Sequence, residues 1–248
     1  MCILVAVCKT LGSLNLIKQE AYTSHSLPHI IMSEVKLNIT RDVVRASETL
    51  YKAFDDSHAF DYITKKFFNL PVDEYVSKDR INAITHYYVA CYHDSNGEVV
   101  EANDYDAVAV FSLPNQHLPK SLTNDPHFNQ VFFHDLKSRL AEVIPEDIHY
   151  YYLFMIGKDL TRKDTKGSVR KIFEEYKKRA DAENCAIVLE AIAEHARSVY
   201  EYFGFKNYKT FHYGVGEVNE QGQPDPNGKG FTGYLMIYHK DGDKVLRE

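Results

Sequence analysis

The sequence predicts an α/β fold in which short buried strands alternate with helices. Two compact apolar runs, residues 150–156 and 185–189, are too short for helices and are bounded by polar residues, which is typical of buried strands. The segment after the second run, residues 191–203, has helical periodicity and ends at Gly204, a residue suited to a left-handed helix cap. Strands that alternate with helices in this way indicate a sheet covered by helices.

Periodic apolar patterns elsewhere in the chain predict the other elements of this sheet. Val35, Leu37 and Ile39 alternate with polar residues and predict a half-buried strand, and Asp42 can cap a helix that extends to Phe54. A turn at residues 94–97 predicts a hairpin with strands over 83–93 and 106–113. The remaining predictions are helices over 59–68, 129–143 and 171–182, and closing strands over 209–213 and 233–239 around a glycine-rich loop, 216–230.

Composition and charge exclude several classes of protein. The chain has 248 residues and a formal net charge of −6, so it can bury a core and is not a general polyanion binder. Its four cysteines contain no C-x-x-C pair, which is typical of a reduced, cytoplasmic protein. The twelve histidines are scattered and support no metal site. We therefore expect no metal, no nucleic-acid partner and no membrane partner.

Residues 1–31 differ from the rest of the chain. The apolar run over residues 1–8 is much shorter than a membrane span and lacks a basic leader, so it is a poor signal peptide. Two interpretations stay open: residues 1–31 form a disordered or loosely attached extension, or the functional chain begins at Met32. Residues 32–248 are predicted to form a single domain.

Three segments resemble parts of a known family. They read A-F-D-D-S-H-A-F-D-Y from Ala53, H-Y-Y-Y-L-F-M-I-G from His149, and A-D-A-E-N-C-A-I-V-L-E-A from Ala180, the last followed by V-Y-E-Y-F-G-F from Val199. The spacing of L-E-A and Y-E-x-x-G-F is similar to that in small-molecule members of the GCN5-related N-acetyltransferase (GNAT) superfamily. This resemblance covers residues 35–239. It implies a central mixed, mostly antiparallel sheet flanked by helices, with a splayed fourth and fifth strand pair.

The resemblance also implies a chemistry, which is transfer of an acetyl group from acetyl-CoA directly to a primary amine. Such a reaction needs an uncharged amine, a stabilised oxyanion and a proton for the departing thiolate. In family members the bulged fourth strand pairs with the pantetheine arm, and Met155, Ile156 and Gly157 would hold that position here. Tyr200 matches the family tyrosine that protonates the thiolate. Glu190, at a strand end, can accept the amine proton directly or through one water.

For both acid–base candidates a structural interpretation stays open beside the catalytic one. Tyr200 can be an aromatic residue packed beneath the sheet, and Glu190 can be a carboxylate that bonds neighbouring backbone amides.

The pyrophosphate loop departs from the family pattern, which is Gln or Arg, two residues, Gly, one residue, then Gly or Ala. Alignment of the following helix places Asp164, Gly167 and Val169 on these positions, whereas sliding by one residue gives Lys163 and Ser168 but loses the glycine. A solvated basic turn is the alternative interpretation. The residues expected to bind the cofactor here are Arg162, Lys163, Lys166, Gly167, Ser168 and Val169, with Ser198 nearby on the later helix.

Two classes of function follow. The first is an acetyl-CoA-dependent N-acetyltransferase that acts on a small amine, or alternatively on a protein or peptide amine. The second is a catalytically weak or inactive relative that binds a ligand or a partner, as the altered phosphate loop suggests. The sequence names no acceptor, and it leaves both a monomer and a homodimer open.

Overall fold

The computed structural model describes residues 35–116 and 123–247, so the predicted extension over residues 1–31 lies outside the described residues. Within these ranges, seven strands form one sheet in the order β1-β2-β3-β4-β5-β7-β6. The strands are β1 (Leu37–Ile39), β2 (Glu98–Ala102), β3 (Ala107–Ser112), β4 (Tyr150–Lys158), β5 (Ala186–Ala191), β6 (Lys206–Tyr213) and β7 (Phe231–Tyr238). The helices are α1 (Val43–Phe54), α2 (His58–Phe67), α3 (Lys78–Asp94), α4 (Pro126–Asn129), α5 (Asp135–Val143), α6 (Ser168–Glu183), α7 (Glu194–Tyr202) and α8 (Gly242–Val245). A π-helical turn, Gln130–His134, joins α4 to α5.

The sheet is mixed and mostly antiparallel, as the resemblance implied. Among the described pairs of neighbouring strands, β4 and β5 are the parallel pair. Their pairing runs from Tyr150 opposite Ala186 to Tyr152 opposite Val188 and then stops, although β4 continues to Lys158 and β5 to Ala191. The predicted splayed pair is therefore confirmed.

A β-bulge in β4 lies directly beside this splay. Leu153 pairs with Phe111 of β3 and Met155 pairs with Val110, which leaves Phe154 without a partner in the β3–β4 register. The extra residue interrupts the alternation of side chains, so that Phe154 and Met155 both belong to the same buried cluster. The bulge thus bends β4 where it separates from β5.

Helices cover the sheet on both faces. We call the two sides of the sheet the first and the second face. The buried cluster on the first face contains Leu50 of α1, Ile63 of α2, Val89 of α3 and Leu136 of α5. The buried cluster on the second face includes residues of α6 and α7. The β5 residues alternate accordingly, because Val188 lies in the first cluster and Leu189 in the second.

The predicted hairpin strand over residues 83–93 is wrong, because this segment is part of α3. The residues that α3 buries include Ile84, Tyr88 and Tyr92, which recur with the period of a helix. Its N-terminus is capped by Ser77, whose side chain accepts a hydrogen bond from the backbone N–H of Arg80. Residues 94–97 were predicted as a hairpin turn, but Asp94 is the last residue of α3 and residues 95–97 join this helix to β2.

The hairpin is formed instead by β2 and β3, which follow α3 in the chain. Its turn contains Asn103, Asp104 and Tyr105, and all three have positive φ angles, of 55°, 54° and 62°. Later in the chain, Ala191 belongs to β5 and α7 begins only at Glu194, so the predicted start of that helix was too early. Gly204 adopts the predicted left-handed conformation, with φ of 87°.

Gly157 is the point at which α1 packs most tightly against β4. A Cβ atom at this position would lie 2.5 Å from Cβ of Ala53 and 3.3 Å from Cδ2 of Leu50. Because interiors are close-packed, a methyl group cannot be added here without displacing the helix. The absence of a side chain at Gly157 therefore serves the packing of α1 on the sheet.

We predict that Gly157→Ala lowers the free energy of unfolding by about 1–3 kcal/mol, the usual cost of overpacking a core. Urea unfolding measures this change. The matched control is Ala53→Gly, which removes the atom that a Cβ at residue 157 would meet. The double variant should recover part of the loss, and strictly additive effects of the two substitutions would contradict this packing account.

Candidate functional site

The opening between β4 and β5 leaves one edge of β4 without a strand. Beyond Tyr152, β4 keeps its pairing with β3 through Lys158 but has no β5 partner within the described ranges. Backbone N–H and C=O groups on that edge require another partner. Met155, Ile156 and Gly157 lie in this unpaired stretch, where the resemblance predicts the pantetheine arm.

Tyr200 lies on the second face of the sheet and is fully buried. It packs with Phe173 of α6 and with Phe205, and its cluster also includes Ile156 and Leu189 from the two separating strands. Its hydroxyl has no hydrogen-bond partner among the residues that the structure describes. Burial raises the pKa of the Tyr200 phenol well above its usual value, so the group holds its proton at neutral pH.

Glu190 lies on the first face and is also buried, with 1% of its surface exposed. Its Oε2 atom accepts a hydrogen bond of 2.9 Å from the hydroxyl of Tyr213, and its Oε1 atom lies 3.6 Å from a terminal nitrogen of Arg139. Burial raises the pKa of the Glu190 carboxyl to about 7, against the lowering effects of Arg139 and Tyr213. The carboxyl group can therefore exchange a proton near neutral pH.

These two candidates occupy opposite faces of the same opening. Glu190 is on β5, and Tyr200 is on the helix that follows β5. The structure thus places the two residues that the sequence analysis singled out for acid–base chemistry on opposite faces of the sheet.

The loop between β4 and α6 ends in an exposed helix N-terminus. Gly167 precedes α6 with φ of 85°, a left-handed conformation that favours glycine. No side chain of the described residues caps the first N–H groups of α6. Such uncapped N–H groups, at the positive end of the helix dipole, are suited to a phosphate. Val169 follows in the first turn of α6 and packs against the second-face cluster.

The basic residues of this loop differ in whether their side chains already have a hydrogen-bond partner among the described residues. Lys163 and Lys166 are exposed, whereas Arg162 donates a hydrogen bond to the backbone oxygen of Asp104. The hydroxyl of Ser168 donates a hydrogen bond of 2.6 Å to the buried carboxylate of Asp106, which leaves only its backbone N–H for a ligand.

Ser198 is exposed on α7, and its hydroxyl donates a hydrogen bond to the backbone oxygen of Glu194, one turn earlier in the same helix. This local bond is common for serine in helices and assigns no ligand to the side chain.

Sequence reasoning missed Arg139, Tyr213 and Asp106. Each acts through a partner far away in the chain: Arg139 and Tyr213 contact Glu190, and Asp106 contacts Ser168. Nothing in the local pattern around these residues marks such contacts. The cue that was available is the burial of Glu190 in an apolar strand, since a buried carboxylate requires donors from elsewhere.

Neither a metal site nor a membrane span is found in residues 35–116 and 123–247. In these ranges no three His, Cys, Asp or Glu side chains are grouped so that they could hold a metal ion. No helix there is long and apolar enough to cross a membrane.

Comparison with known proteins places this chain in a family. A model of the YOR012W acetyl transferase domain matches residues 38–117. The chain is 59% identical over 213 residues to the uncharacterized protein YDR391C of Saccharomyces cerevisiae. The aligned region covers 86% of this chain and 90% of that protein. It is 26% identical over 182 residues to an uncharacterized N-acetyltransferase of Schizosaccharomyces pombe, covering 66% and 71% of the two chains.

A solved structure gives the same fold. A Corynebacterium glutamicum protein described as histone acetyltransferase HPA2 and related acetyltransferase superposes with a TM-score of 0.50 at 16% identity, covering 82% of this chain and 93% of that one. The sheet with its splayed pair and the matching domain model define an N-acetyltransferase of the GNAT type. The chain belongs to the GNAT superfamily, in the same family as YDR391C of Saccharomyces cerevisiae.

We predict that Glu190 makes folding stability fall as pH rises. Its pKa is about 7 in the folded chain and near the usual 4.5 in the unfolded chain, so between these values the folded state binds the extra proton. Relative to Glu190→Gln, the wild-type protein should therefore lose up to about 3 kcal/mol of unfolding free energy between pH 4 and pH 8. Urea unfolding across this range measures the difference, and parallel pH profiles for the two proteins would contradict the assigned pKa.

Proposed function

We propose that this N-acetyltransferase transfers an acetyl group from acetyl-CoA directly to a primary amine of a small molecule, with Tyr200 as the general acid. The observation that carries the proposal is the opening between β4 and β5, together with a buried tyrosine hydroxyl that lies in the same cluster as Ile156 and Leu189 and has no partner among the described residues. A buried, unpaired hydroxyl is costly in an apolar cluster unless a ligand engages it.

The cofactor binds along the unpaired edge of β4 in this proposal. The pantetheine arm forms backbone hydrogen bonds to the stretch that contains Met155, Ile156 and Gly157, and the acetyl carbonyl is polarised there. The diphosphate lies at the N-terminus of α6, where Gly167 keeps the backbone open and the N–H groups of Ser168 and Val169 face an anion. Three basic side chains of the same loop add positive charge, namely Arg162, Lys163 and Lys166.

Proton transfer is divided between the two faces of the sheet. Glu190 accepts the proton of the incoming ammonium, directly or through one water, because its raised pKa lies close to neutral pH. The neutral amine attacks the thioester carbonyl, and the C–S bond breaks as the tetrahedral intermediate collapses. Its nitrogen releases the second ammonium proton to solvent, which leaves a neutral amide, and solvent reprotonates Tyr200 after the transfer. Tyr200 donates its proton to the departing thiolate, since its phenol stays protonated in its apolar surroundings.

The loop between β6 and β7 favours a small acceptor over a peptide. Glu217 in this loop accepts hydrogen bonds of 2.6 Å from the Tyr62 hydroxyl and 2.7 Å from the Lys66 ammonium, both on α2. A Cβ atom at Gly222 would lie 2.7 Å from the backbone nitrogen of Ala59, so the loop rests directly on the start of α2. An extended peptide would need a groove between these two segments, and their close contact supports a compact acceptor.

A second candidate function keeps the fold without efficient catalysis. It is favoured by the phosphate loop, which matches the family pattern cleanly only at Gly167, and by the Ser168 hydroxyl, which is bonded to Asp106. In that case the chain is a catalytically weak or inactive ligand-binding or interaction protein. An acetyltransferase of protein or peptide amines is the remaining alternative.

We predict that acetyl-CoA binds the protein with a measurable heat in titration calorimetry. Charge reversal of the exposed loop lysines, Lys163→Glu with Lys166→Glu, should weaken binding, because both lie next to the proposed diphosphate site. Exchange of Lys240, an exposed lysine near the chain terminus, for Glu is the matched control and should leave the affinity unchanged. Absence of binding up to about 1 mM acetyl-CoA would favour the non-catalytic candidate.

We predict that Tyr200→Phe lowers kcat by roughly a hundredfold or more, the usual contribution of general acid–base catalysis, with little change in acetyl-CoA affinity. The acceptor is first found by a screen of small amines and peptides that detects free CoA. The control is Tyr176→Phe, because Tyr176 is buried in the same cluster but donates its hydrogen bond to Glu98. Unchanged turnover in Tyr200→Phe would contradict the role of general acid.

A further inference from the structure

Three polar atoms without hydrogen-bond partners lie in the buried region around Glu190. They are Oε1 of Glu190, Nε of Arg139 and the hydroxyl of Tyr152, and each has no partner among the described residues. Tyr152 is close enough for the charge of Glu190 to raise its pKa further above the usual value, although burial is the larger cause. The ionisation of this carboxylate therefore depends on a few neighbours rather than on solvent.

Arg139 is the positively charged neighbour, and its guanidinium is held from several sides. A terminal nitrogen donates a hydrogen bond of 3.2 Å to the backbone oxygen of Val131 in the π-helical turn. The guanidinium carbon lies 3.9 Å from the centre of the Phe211 ring on β6, a cation–π contact. With only 13% of its side chain exposed, Arg139 cannot swing freely into solvent.

Arg139 is positioned by the segment between β3 and β4. The π-helical turn Gln130–His134 leads into α5, and its carbonyl at Val131 receives the Arg139 side chain, which projects from α5. Turns of this kind are rare and occur often at functional positions. Here the turn orients Arg139 toward Glu190, which lies on β5.

We propose that Arg139 is a positioning residue that holds the buried carboxylate of Glu190 in its ionised, proton-accepting form. The consequence for catalysis rests on the proposed function, whereas the coupling between the two side chains does not. Without Arg139, Glu190 would stay protonated to higher pH and could accept no proton from the amine until the solution became alkaline.

The other groups that face Glu190 cannot replace this cation. Tyr213 of β6 donates a hydrogen bond to it, and Tyr152 of β4 is a neutral phenol. Farther away, Tyr92 of α3 acts on Tyr152, and Asp135 of α5 carries a negative charge that acts on Tyr213. Arg139 is thus the cation that acts on Glu190 among the described residues. An opposite charge at this range lowers a carboxyl pKa by about one to three units.

The test compares Arg139→Gln with Arg139→Lys. Two pH profiles are measured for each protein: the unfolding free energy, which needs no substrate, and kcat/KM for the acceptor found by the amine screen. In Arg139→Gln, the pH at which Glu190 ionises should move up by about one to three units in both profiles. Arg139→Lys keeps the charge and should remain close to wild type. An unchanged unfolding profile in Arg139→Gln would overturn the proposal.

A folding failure of Arg139→Gln would also be informative. The proposal then requires that Glu190→Gln, added to the same chain, restores folding, since a chain without this carboxyl does not have to take up a proton in order to bury it. If the double variant also fails to fold, Arg139 is needed for packing alone and the proposal is wrong. If the unfolding profile shifts as expected but no amine is acetylated, the coupling stands and only the proposed function fails.

Discussion

The separation of β4 from β5 after the pair Tyr152–Val188 is the constraint on which the rest of the structure depends. Both strands are buried on both faces, so the backbone groups exposed by the separation cannot turn to bulk solvent as they would at the rim of a sheet. The bulge at Phe154 bends β4 at this point, and the packing of α1 on Gly157 supports the bent strand from the first face. The opening is therefore a built feature of the fold.

Burial raises the pKa of both Tyr200 and Glu190, but the outcome for their protonation differs. For Tyr200 it keeps a phenol protonated, because an isolated phenolate in an apolar cluster is strongly disfavoured. For Glu190 the same desolvation is partly offset by Arg139 and Tyr213, so the carboxyl titrates near neutral pH. Surroundings that drive two titratable groups to different protonation states are consistent with the roles of donor and acceptor that we propose for them.

Much of this fold could be predicted from local pattern, and the failures have a physical cause. The strands at residues 150–156 and 185–189 and the cap at Gly204 follow from short apolar runs and from glycine conformation, both of which are local. The segment at residues 83–93 was predicted as a strand because it is an apolar run before the turn signal at residues 94–97, whereas packing against α1 and the sheet selected a helix. Tyr200 and Glu190 stood in recognisable motifs, but Arg139 is linked to Glu190 only through the tertiary fold.

The central claim is that the cofactor occupies the opening between β4 and β5. Hydrogen exchange followed by mass spectrometry, with and without acetyl-CoA, tests it most directly because it reports on backbone N–H groups. The account predicts that acetyl-CoA slows exchange in β4 beyond Tyr152 and in the first turn of α6 after Gly167, with little change in the β2–β3 hairpin. Protection confined to other segments, with these two unchanged, would contradict it.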